Sequence, residues 1–516
     1  MHPLSWRAHL PSGSDLHVAD LTARASLPHA WTRTWAAHPE APLLLDLSAP
    51  DARWCRADEL EEMTRRRAEG LAALGLAPGD RVLWSTASSL PAVVANLAAL
   101  RAGLVVVPVN PAYTERELAH VLGDVRPAAA IVDDPDRAAV VLRAAATGIV
   151  VATPDLDIIG GASGAGASGA GASGAGASGD LVLDGAQPTD VALIAYTSGT
   201  TGAPKGAVLT HGNLLANSES IALTWRWERG DRLVHALPIF HGHGLCVALY
   251  TSLLVGSSVV LLPRFDADAV LDACARHDAT LFFGVPTMYH RLAASSRVGQ
   301  LARLRLAVSG SAPLSAELHG SIAASGGTQV LERYGMTETL MTLSNPYDGE
   351  RRPGTVGFPF PGVDARVEDD GALLVRGPTV FSGYWERPAA TAESFTDGWF
   401  RTGDLGVVED GYVRLLGRST DLIISGGYNV YPAEVEDVLL GHPSVSEVAV
   451  TGAPSEEWGE VVCAWVVPDG ASPPDVDAVL AYAAQRLAPY KRPRRIHLVD
   501  ALPRNAMGKV RRSELR

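Results

Sequence analysis

The sequence predicts an α/β protein with a large N-terminal domain and a small α+β domain at the C-terminal end. A chain of 516 residues is several times longer than one hydrophobic core requires, so at least two domains are expected. Helix-like and strand-like patterns alternate over most of the length, which is typical of α/β layers. Beyond a boundary near residues 415–427 the pattern becomes helix, strand, strand, helix, strand. That unit of about 95 residues is large enough to fold as a module.

The N-terminal part begins this alternation with four clear elements. Residues 57–75 are amphipathic and helical, residues 81–87 read as a strand, 90–102 as a helix and 104–109 as a strand. Further along, the strand RLAVSG (305–310) precedes a helix at 316–326. The most apolar window, 90–110, contains Arg101 and Gly103 and reaches a proline. We therefore interpret it as a buried helix followed by a buried strand, and no membrane span is expected.

Residues 161–179 repeat a five-residue unit of Ala, Ser and Gly. Such a composition buries too little apolar surface to compensate for its ordering entropy. A flexible surface loop of about residues 160–179 is therefore predicted, with silk-like strand stacking as the alternative.

Composition and charge exclude several classes of protein. The net charge is −14 with no sustained basic block, which argues against a nucleic-acid binder. The four cysteines are far apart and lack CxxC spacing, so neither a disulfide framework nor a zinc site is indicated. Scattered thiols fit a reducing compartment, and the first residues do not resemble a signal peptide. A cytoplasmic location is expected.

Residues 196–206, YTSGTTGAPKG, combine glycines, hydroxyls and one lysine directly after an apolar strand. Glycines let successive backbone N–H groups turn inward, hydroxyls add donors and the lysine adds positive charge, so the stretch predicts a phosphate cradle. It is not the usual P-loop, because Lys205 lies between Pro204 and Gly206. The alternative is a polar turn before the helix that follows.

This stretch resembles the phosphate-binding loop of the adenylate-forming superfamily, which includes acyl-CoA synthetases, peptide-synthetase adenylation domains and luciferases. Six further motifs follow in the order typical of that family: LPIFHGHG (237–244), VSGSAPL (308–314), YGMTET (334–339), GWFRTGD (398–404), GRSTDLIISGGYNVYPAEVE (417–436) and PRNAMGKVRR (503–512). The resemblance extends over about residues 30–516. The combination of LPIFHGHGL, GVPTMYHR, VSGSA and ERYGMTETLM resembles malonyl-CoA synthetases more than fatty-acid enzymes.

The resemblance implies a two-step reaction with ATP, Mg²⁺ and coenzyme A. A carboxylate attacks the α-phosphate of ATP to give an acyl-adenylate and pyrophosphate, and a thiol then attacks the activated carbonyl. The first step depends mainly on electrostatic positioning of phosphates and carboxylate.

The nucleotide site implied by the resemblance is distributed over several motifs. The phosphates are expected at Thr197, Ser198, Gly199, Thr200, Thr201, Gly202 and Lys205. Glu338 and Thr200 are expected to hold Mg²⁺, a hard cation that prefers oxygen ligands. Further nucleotide contacts are expected from Gly310, Ser311, Ala312, Tyr334, Gly335, Thr337 and Arg418. Asp404 is expected to accept hydrogen bonds from the ribose hydroxyls, because a carboxylate is a two-pronged acceptor.

Lys509 matches the family's adenylation lysine, which stabilises charge in the first step. The resemblance implies domains at 1–417 and 421–516 joined by a hinge at 418–420, with the small domain swinging between the two steps. The family usually has Asp or Lys at the hinge, whereas this chain has Thr420 followed by Asp421. In the second conformation Gly426, Gly427 and Tyr428 are expected to line the thiol tunnel.

The acyl pocket is expected between LPIFHGHG, FFGVPTMYHRL and VSGSAPL. His241 resembles the gating aromatic residue of the family and is grouped with Lys205, Glu338 and Lys509 as catalytic, whereas His243 reads as structural. No acidic residue follows the first motif, which argues against an amino-acid substrate. In malonyl-CoA synthetases, residues matching Arg291 and Ser311 bind the distal carboxylate, a task that suits a planar guanidinium. Malonate or a small methyl-substituted malonate is the expected substrate.

Three alternatives remain open. The chain could be a medium- or long-chain acyl-CoA ligase, or a ligase that loads an acyl carrier protein in place of coenzyme A. A non-catalytic nucleotide-binding protein would bind ATP without releasing pyrophosphate. A luciferase-like oxygenase shares the first step and would emit light.

Overall fold

The computed structural model describes residues 4–10, 25–145, 148–160, 181–197, 204–425, 428–455, 458–470, 475–505 and 508–515. The Ala/Ser/Gly repeat therefore lies outside the described residues, and its role as a surface loop stays a prediction. Among the residues described, no helix has the length and apolar character that crossing a bilayer requires.

The helices predicted at 57–75, 90–102 and 316–326 are present in the described chain, together with others for which no bounds were predicted. In chain order the helices are α1 (Leu27–Ala37), α2 (Ala57–Ala73), α3 (Leu90–Arg101), α4 (Glu115–Val125), α5 (Pro135–Ala144), α6 (His211–Thr224), α7 (Tyr250–Val255), α8 (Ala267–Arg276), α9 (Pro286–Ala293), α10 (Ala316–Gly326), α11 (Pro388–Ser394), α12 (Pro432–Leu440) and α13 (Val476–Arg486), and the three predicted ones are α2, α3 and α10. A π-helix, His243–Leu249, leads directly into α7. Short 3-10 helices occur at Trp6–His9, Val298–Arg303, Ser419–Asp421, Pro489–Lys491 and Arg512–Glu514.

The first large sheet has nine strands, parallel at its centre and antiparallel at both ends. In spatial order they are β16 (Phe358–Pro359), β15 (Leu340–Ser344), β14 (Val330–Met336), β13 (Leu306–Ser309), β12 (Leu281–Gly284), β10 (Arg232–His235), β11 (Ser258–Leu261), β1 (Pro42–Asp46) and β2 (Trp54–Arg56). The central strands are buried apolar runs, as strands covered by helices on both faces must be.

The second large sheet has eight strands and carries the predicted phosphate-binding hairpin near one edge. In spatial order they are β19 (Gly383–Tyr384), β9 (Lys205–Thr210), β8 (Val191–Thr197), β4 (Val105–Pro108), β3 (Arg81–Ser85), β5 (Ala129–Val132), β6 (Val150–Ala152) and β7 (Ile158–Gly160). One hydrophobic core lies between the two sheets, and α3 is buried along most of its length within it.

Two smaller sheets, mainly antiparallel, follow the large pair. The first contains β17 (Asp364–Val367), β18 (Ala372–Arg376), β20 (Phe395–Thr396), β21 (Trp399–Glu409) and β22 (Tyr412–Arg418). The second contains β23 (Ile423–Ser425), β24 (Tyr428–Val430), β25 (Val445–Ser455), β26 (Gly459–Pro468) and β27 (Arg495–Leu498), of which only β27 pairs in parallel.

The last sheet packs on α12 and α13 around a core of its own, which includes Ile423, Val435, Val450 and Val479. This separate core is the small C-terminal domain, so the predicted fold class is confirmed. The exact bounds 1–417, 418–420 and 421–516 stay a prediction. Ser419–Asp421, where the hinge is predicted, forms a single 3-10 turn after β22.

Arg101 ties the end of α3 to the segment that follows the Ala/Ser/Gly repeat. Its guanidinium is 4% exposed and lies 3.1 Å from Asp184 and 3.0 Å from Glu61. Arg101 also donates to the Thr64 hydroxyl at 2.7 Å. The arginine that breaks the apolar window of the sequence is therefore a buried, fully paired cation.

We expect Arg101→Met to lower the free energy of unfolding by about 3 kcal/mol, because it leaves Asp184 and Thr64 without their buried partner. Scanning calorimetry would measure the loss in Tm. Arg65 is a matched control, because its more exposed side chain forms ion pairs, within the described parts of the chain, only with Glu62 and Glu69 of the same helix. Arg65→Met should cost about 0.5 kcal/mol. Equal losses in the two variants would contradict the tethering role of Arg101.

Candidate active site

The predicted phosphate-binding hairpin is described at both of its flanks. Thr197 ends β8 and pairs with Lys205, the first residue of β9, and the Thr197 hydroxyl donates to the Lys205 carbonyl at 3.4 Å. Ser198, Gly199, Thr200, Thr201 and Gly202 lie outside the described residues, so their phosphate contacts stay a prediction. β9 runs directly into α6, whose N-terminus is capped by the Thr210 hydroxyl.

Glu338 lies in the turn between β14 and β15 and is 5% exposed. It accepts a hydrogen bond from the Tyr384 hydroxyl at 3.0 Å. Burial raises the pKa of the Glu338 carboxyl, and the Tyr384 hydrogen bond and the charge of Arg418 oppose that shift. Thr337 and Gly335 are half-buried in the same segment. A Cβ at position 335 would lie 2.0 Å from the Leu340 carbonyl oxygen, so this turn requires glycine.

Asp404 and Arg418 face each other on the paired strands β21 and β22, with Arg418 Nε 2.7 Å from Asp404 Oδ1. The Tyr334 hydroxyl donates to the other Asp404 oxygen. Asp404 is 7% exposed, and its burial raises the carboxyl pKa while Arg418 lowers it. The structure thus brings together three residues that the sequence assigned separately to the nucleotide.

Lys509 reaches this cluster from the C-terminal domain. The backbone N–H of Lys509 donates to Asn505 Oδ1 at 3.0 Å, which closes a tight turn. Gly508 in that turn packs so closely on α9 that a Cβ there would lie 3.2 Å from the Thr287 hydroxyl. Loss of surrounding water lowers the pKa of the Lys509 ammonium, and Arg418 adds to this while Asp404 opposes it. Its side chain nevertheless remains accessible to solvent.

The predicted acyl pocket contains a group of buried cationic and imidazole side chains. Arg333 is 4% exposed, and its Nε and Nη2 have no hydrogen-bond partner among the residues described. His243 is buried, with Nδ1 3.4 Å from the Ser311 hydroxyl. His241 is half-buried beside it. Burial lowers the pKa of Arg333 to about 9 and that of His241 to about 4.

Gly310 makes room for this arginine. A Cβ at position 310 would lie 2.3 Å from the Arg333 guanidinium carbon, closer than any real contact. Ala312 and Ser311, which follow Gly310, are half-buried, and Ser311 has a positive φ of 68°. The tight approach of β13 to the arginine of β14 therefore depends on the glycine of VSGSAPL.

Two predicted site residues lie at the surface. Arg291 is exposed near the end of α9 and has no ion-pair or hydrogen-bond partner among the residues described. Tyr428 is 59% exposed and stacks on Tyr490 with a ring separation of 4.7 Å. Gly426 and Gly427 lie outside the described residues, so the thiol tunnel is not tested by this arrangement.

Sequence reasoning missed two residues that the structure places here, Arg333 and Tyr384. Arg333 directly precedes YGMTET, but an arginine next to a motif carries no signal of burial. Tyr384 belongs to no motif that we identified, and only the pairing of β19 with β9 brings it to the hairpin.

Comparison with known proteins decides the family. Residues 31–385 match the family described as AMP-binding enzyme, and residues 434–509 match the AMP-binding enzyme C-terminal domain. The chain belongs to the AMP-binding enzyme family. It is 39% identical over 476 residues to a feruloyl-CoA synthase of an Amycolatopsis species, covering 89% of this chain and 92% of that protein.

Other members of the AMP-binding enzyme family are also similar. A malonate–CoA ligase of Arabidopsis thaliana is 40% identical over 63% of this chain and 60% of its own length. The crystal structure of ATP-bound MatB from Rhodopseudomonas palustris superposes with a TM-score of 0.85 at 42% identity, covering 95% of this chain and 98% of that one.

These relatives are acyl-CoA ligases of different acids, so this AMP-binding enzyme is an ATP-dependent, AMP-forming acid–thiol ligase. It couples adenylation of a carboxylic acid to thioester formation with coenzyme A.

Lys509 can be tested directly because the chain has only three lysines, Lys205, Lys491 and Lys509, among 43 lysine and arginine residues. Partial burial of Lys491 is outweighed by its hydrogen bonds to Glu434, so its pKa is raised. The unprotonated amine is the nucleophile, and a lowered pKa makes it available at lower pH. We therefore expect competitive acetylation, read by mass spectrometry, to rise at a lower pH for Lys509 than for Lys491.

The same labelling in denaturant provides the control, since the two profiles should then coincide. Coincident profiles in the folded protein would show that the Lys509 ammonium is neither desolvated nor close to Arg418.

Proposed function

We propose that this ligase activates malonate or a small methyl-substituted malonate and transfers the acyl group to coenzyme A. The observation that carries the proposal is the buried guanidinium of Arg333, which has unsatisfied donors beside Ser311 and His243. A buried cation without a counter-ion costs several kcal/mol, and an anionic group on the substrate offsets that cost.

A distal carboxylate suits this site better than an alkyl or aromatic group. Nε and Nη2 of Arg333 can donate two charge-assisted hydrogen bonds to one carboxylate. The neighbouring imidazoles do not add positive charge, because burial keeps the pKa values of His241 and His235 at about 4. Arg333 is therefore the main cation of the pocket, and an apolar substrate would leave it unpaired.

Arg291 is retained as the second arginine of the proposed carboxylate site. Thr287 and Arg291 are four residues apart on α9 and so share one face of the helix. A Cβ at Gly508, next to the proposed catalytic lysine, would lie 3.2 Å from the Thr287 hydroxyl, so Thr287 faces the lysine turn. Arg291 thus lies on the face of α9 that meets the lysine turn and has no competing partner among the described residues.

Asp404, with its two oxygens already aligned by Tyr334 and Arg418, is the proposed ribose acceptor. Lys205 is the proposed partner of the terminal phosphates. The remaining nucleotide contacts proposed here are those expected from the motifs: Thr197, Ser198, Gly199, Thr200, Thr201, Gly202, Gly310, Ser311, Ala312, Gly335 and Thr337.

Mg²⁺ fits the residues present. The described residues contain no group of three His, Cys, Asp or Glu side chains that could hold a metal by themselves. Glu338 is a single buried carboxylate, and Mg²⁺ is usually bound by one or two carboxylates together with waters and substrate phosphates. Glu338, with Thr200, would hold the ion, which supplies charge neutralisation on the phosphates when bound.

Lys509 is proposed to stabilise the negative charge that develops in adenylate formation. Its ammonium lies in the field of Asp404 and Arg418, on the ribose side of the proposed nucleotide site. The second step would follow a rotation of the C-terminal domain about residues 418–420, which would bring Gly426, Gly427 and Tyr428 towards the thiol path.

The substrate is tested by pyrophosphate release with ATP, Mg²⁺ and coenzyme A. The acids are malonate, methylmalonate, acetate, octanoate and ferulate. We expect turnover with the two dicarboxylates and at least about 100-fold lower kcat/KM with the three monocarboxylates, since only the former pair with Arg333. A preference for octanoate or ferulate would overturn the substrate assignment while leaving the ligase reaction intact.

The arginine assignment is tested by Arg333→Met and Arg291→Met. We expect Arg333→Met to raise the KM for malonate about 100-fold, because it removes two charge-assisted hydrogen bonds. The more exposed Arg291 should contribute about 10-fold. Arg333→Met should also leave Tm unchanged or higher, because it removes an unpaired buried charge. Unaltered malonate kinetics in Arg333→Met would exclude it from the acyl site.

Lys509→Ala should slow adenylate formation by about 100-fold or more, because a positive charge aimed at the transition state is lost. Thioester formation from supplied malonyl-adenylate should change by less than about threefold, since the lysine is then displaced. Rapid-quench measurement of each half-reaction provides the comparison. Equal slowing of both half-reactions would contradict the proposed swing.

A further inference from the structure

The segment Phe381–Trp385 connects two parts of the proposed triphosphate site that are distant in sequence. Its residues Gly383 and Tyr384 form β19, the edge strand beside β9, which begins at Lys205. The Trp385 N–H donates to the Gly206 carbonyl at 2.8 Å, and the Phe381 N–H donates to the Glu338 carbonyl at 2.7 Å. The segment is thus hydrogen-bonded at one end to the lysine strand and at the other to the glutamate turn.

Tyr384 contacts both charged side chains. Its hydroxyl donates to Glu338 Oε1 at 3.0 Å. The Lys205 ammonium lies 5.1 Å from the centroid of the same ring. That distance is within the range of a cation–π interaction, which attracts the ammonium to the ring face.

Lys205 and Glu338 form no ion pair with each other or with any other described residue. A lysine and a buried glutamate this near to a common ring would attract each other strongly, because a buried environment screens charges poorly. Direct pairing would occupy the groups that must meet the phosphates and the metal ion. Instead, the Tyr384 hydroxyl contacts the Glu338 carboxylate and the Tyr384 ring face contacts the Lys205 ammonium.

We propose that Tyr384 is a positioning residue that holds Lys205 and Glu338 apart, ready for the triphosphate and its metal ion. Its hydroxyl orients the Glu338 carboxylate, and its ring holds the Lys205 ammonium. This inference rests on the roles proposed above for Lys205 and Glu338 and does not depend on which acid is activated.

Packing keeps the tyrosine in this place. The backbone of Tyr384 is held in place because its N–H donates to the Thr391 hydroxyl at 2.9 Å. Gly383 has a φ of 139°, and a Cβ there would lie 2.7 Å from the Thr391 methyl carbon, so β19 is pressed against α11. The Phe381 ring packs edge-on against Tyr384 with a centroid separation of 4.8 Å.

Two substitutions test the two contacts of Tyr384 one at a time. Tyr384→Phe removes the hydroxyl and keeps the ring, and Tyr384→Leu removes both. Calorimetry would measure the Kd of the full-length protein for ATP with Mg²⁺, for ATP with EDTA and for AMP. AMP lacks the phosphates that Lys205 would bind and so reports the intact adenosine site.

For Tyr384→Phe we expect the Kd for ATP with Mg²⁺ to rise about 10-fold, with changes below about twofold for ATP in EDTA and for AMP. For Tyr384→Leu we expect ATP in EDTA to weaken by about 10-fold as well, because Lys205 can then pair with Glu338. AMP binding should again be unchanged.

Tyr412→Phe is the matched control. The Tyr412 hydroxyl donates to the Glu350 carbonyl at 2.8 Å, remote from the hairpin, so its loss should alter none of the three Kd values. If Tyr384→Phe and Tyr384→Leu leave ATP binding unchanged in both conditions, the positioning role is wrong.

Glu338→Gln separates an error in the role of Tyr384 from an error in the proposed metal-binding role of Glu338. If Glu338→Gln does not weaken ATP binding in Mg²⁺, Glu338 is not the metal-binding residue and the inference falls with it. If Glu338→Gln weakens that binding and Tyr384→Phe does not, only the role of Tyr384 is overturned.

Discussion

An unpaired guanidinium buried beside Ser311 and two histidines is the constraint on which the proposed acyl site depends. Placing Arg333 there requires Gly310, because a Cβ at this position, directly after β13, would overlap the guanidinium. It also requires neutral imidazoles, since further positive charge would raise the cost of burial. The proposed dicarboxylate substrate would supply the missing counter-ion through its distal carboxylate.

The proposed nucleotide site differs from the acyl site, where Arg333 is unpaired. The charged groups of the nucleotide site already have partners or aromatic contacts before the ligand binds. Arg418 and Tyr334 already occupy Asp404, and Tyr384 contacts both Glu338 and Lys205. Prearranged charges lose little free energy to reorganisation when phosphates bind. Lys509 is proposed to lie between the acyl site and the nucleotide site, and it belongs to the C-terminal domain, which has a separate hydrophobic core. In the proposed mechanism, a lysine carried on a separate core would leave after the first step without disturbing either pocket.

The positions of the few lysines in this arginine-rich chain support separate roles for lysine and arginine in the proposed site. Two of the three lysines, Lys205 and Lys509, lie at the proposed phosphate and adenylation positions. Lysine presents a compact, rotatable charge on a flexible stem, which suits contact with phosphates that move during the reaction. Arginine presents a flat, fixed fork, which suits a carboxylate that stays bound. The third lysine, Lys491, pairs with Glu434 within the small domain.

The sequence by itself determined the α/β layers, the small C-terminal domain and the family, because periodicity and ordered motifs are local properties of the chain. It also indicated Lys205, Glu338, Asp404 and Lys509, each of which stands inside a recognisable motif. Only the tertiary structure decided that Arg333 is buried and unpaired, that Arg291 is exposed, and that Tyr384 lies between Lys205 and Glu338. Those facts depend on which strands lie side by side and how closely they approach. Strand neighbours and burial arise from packing between distant segments, which no single stretch of sequence encodes.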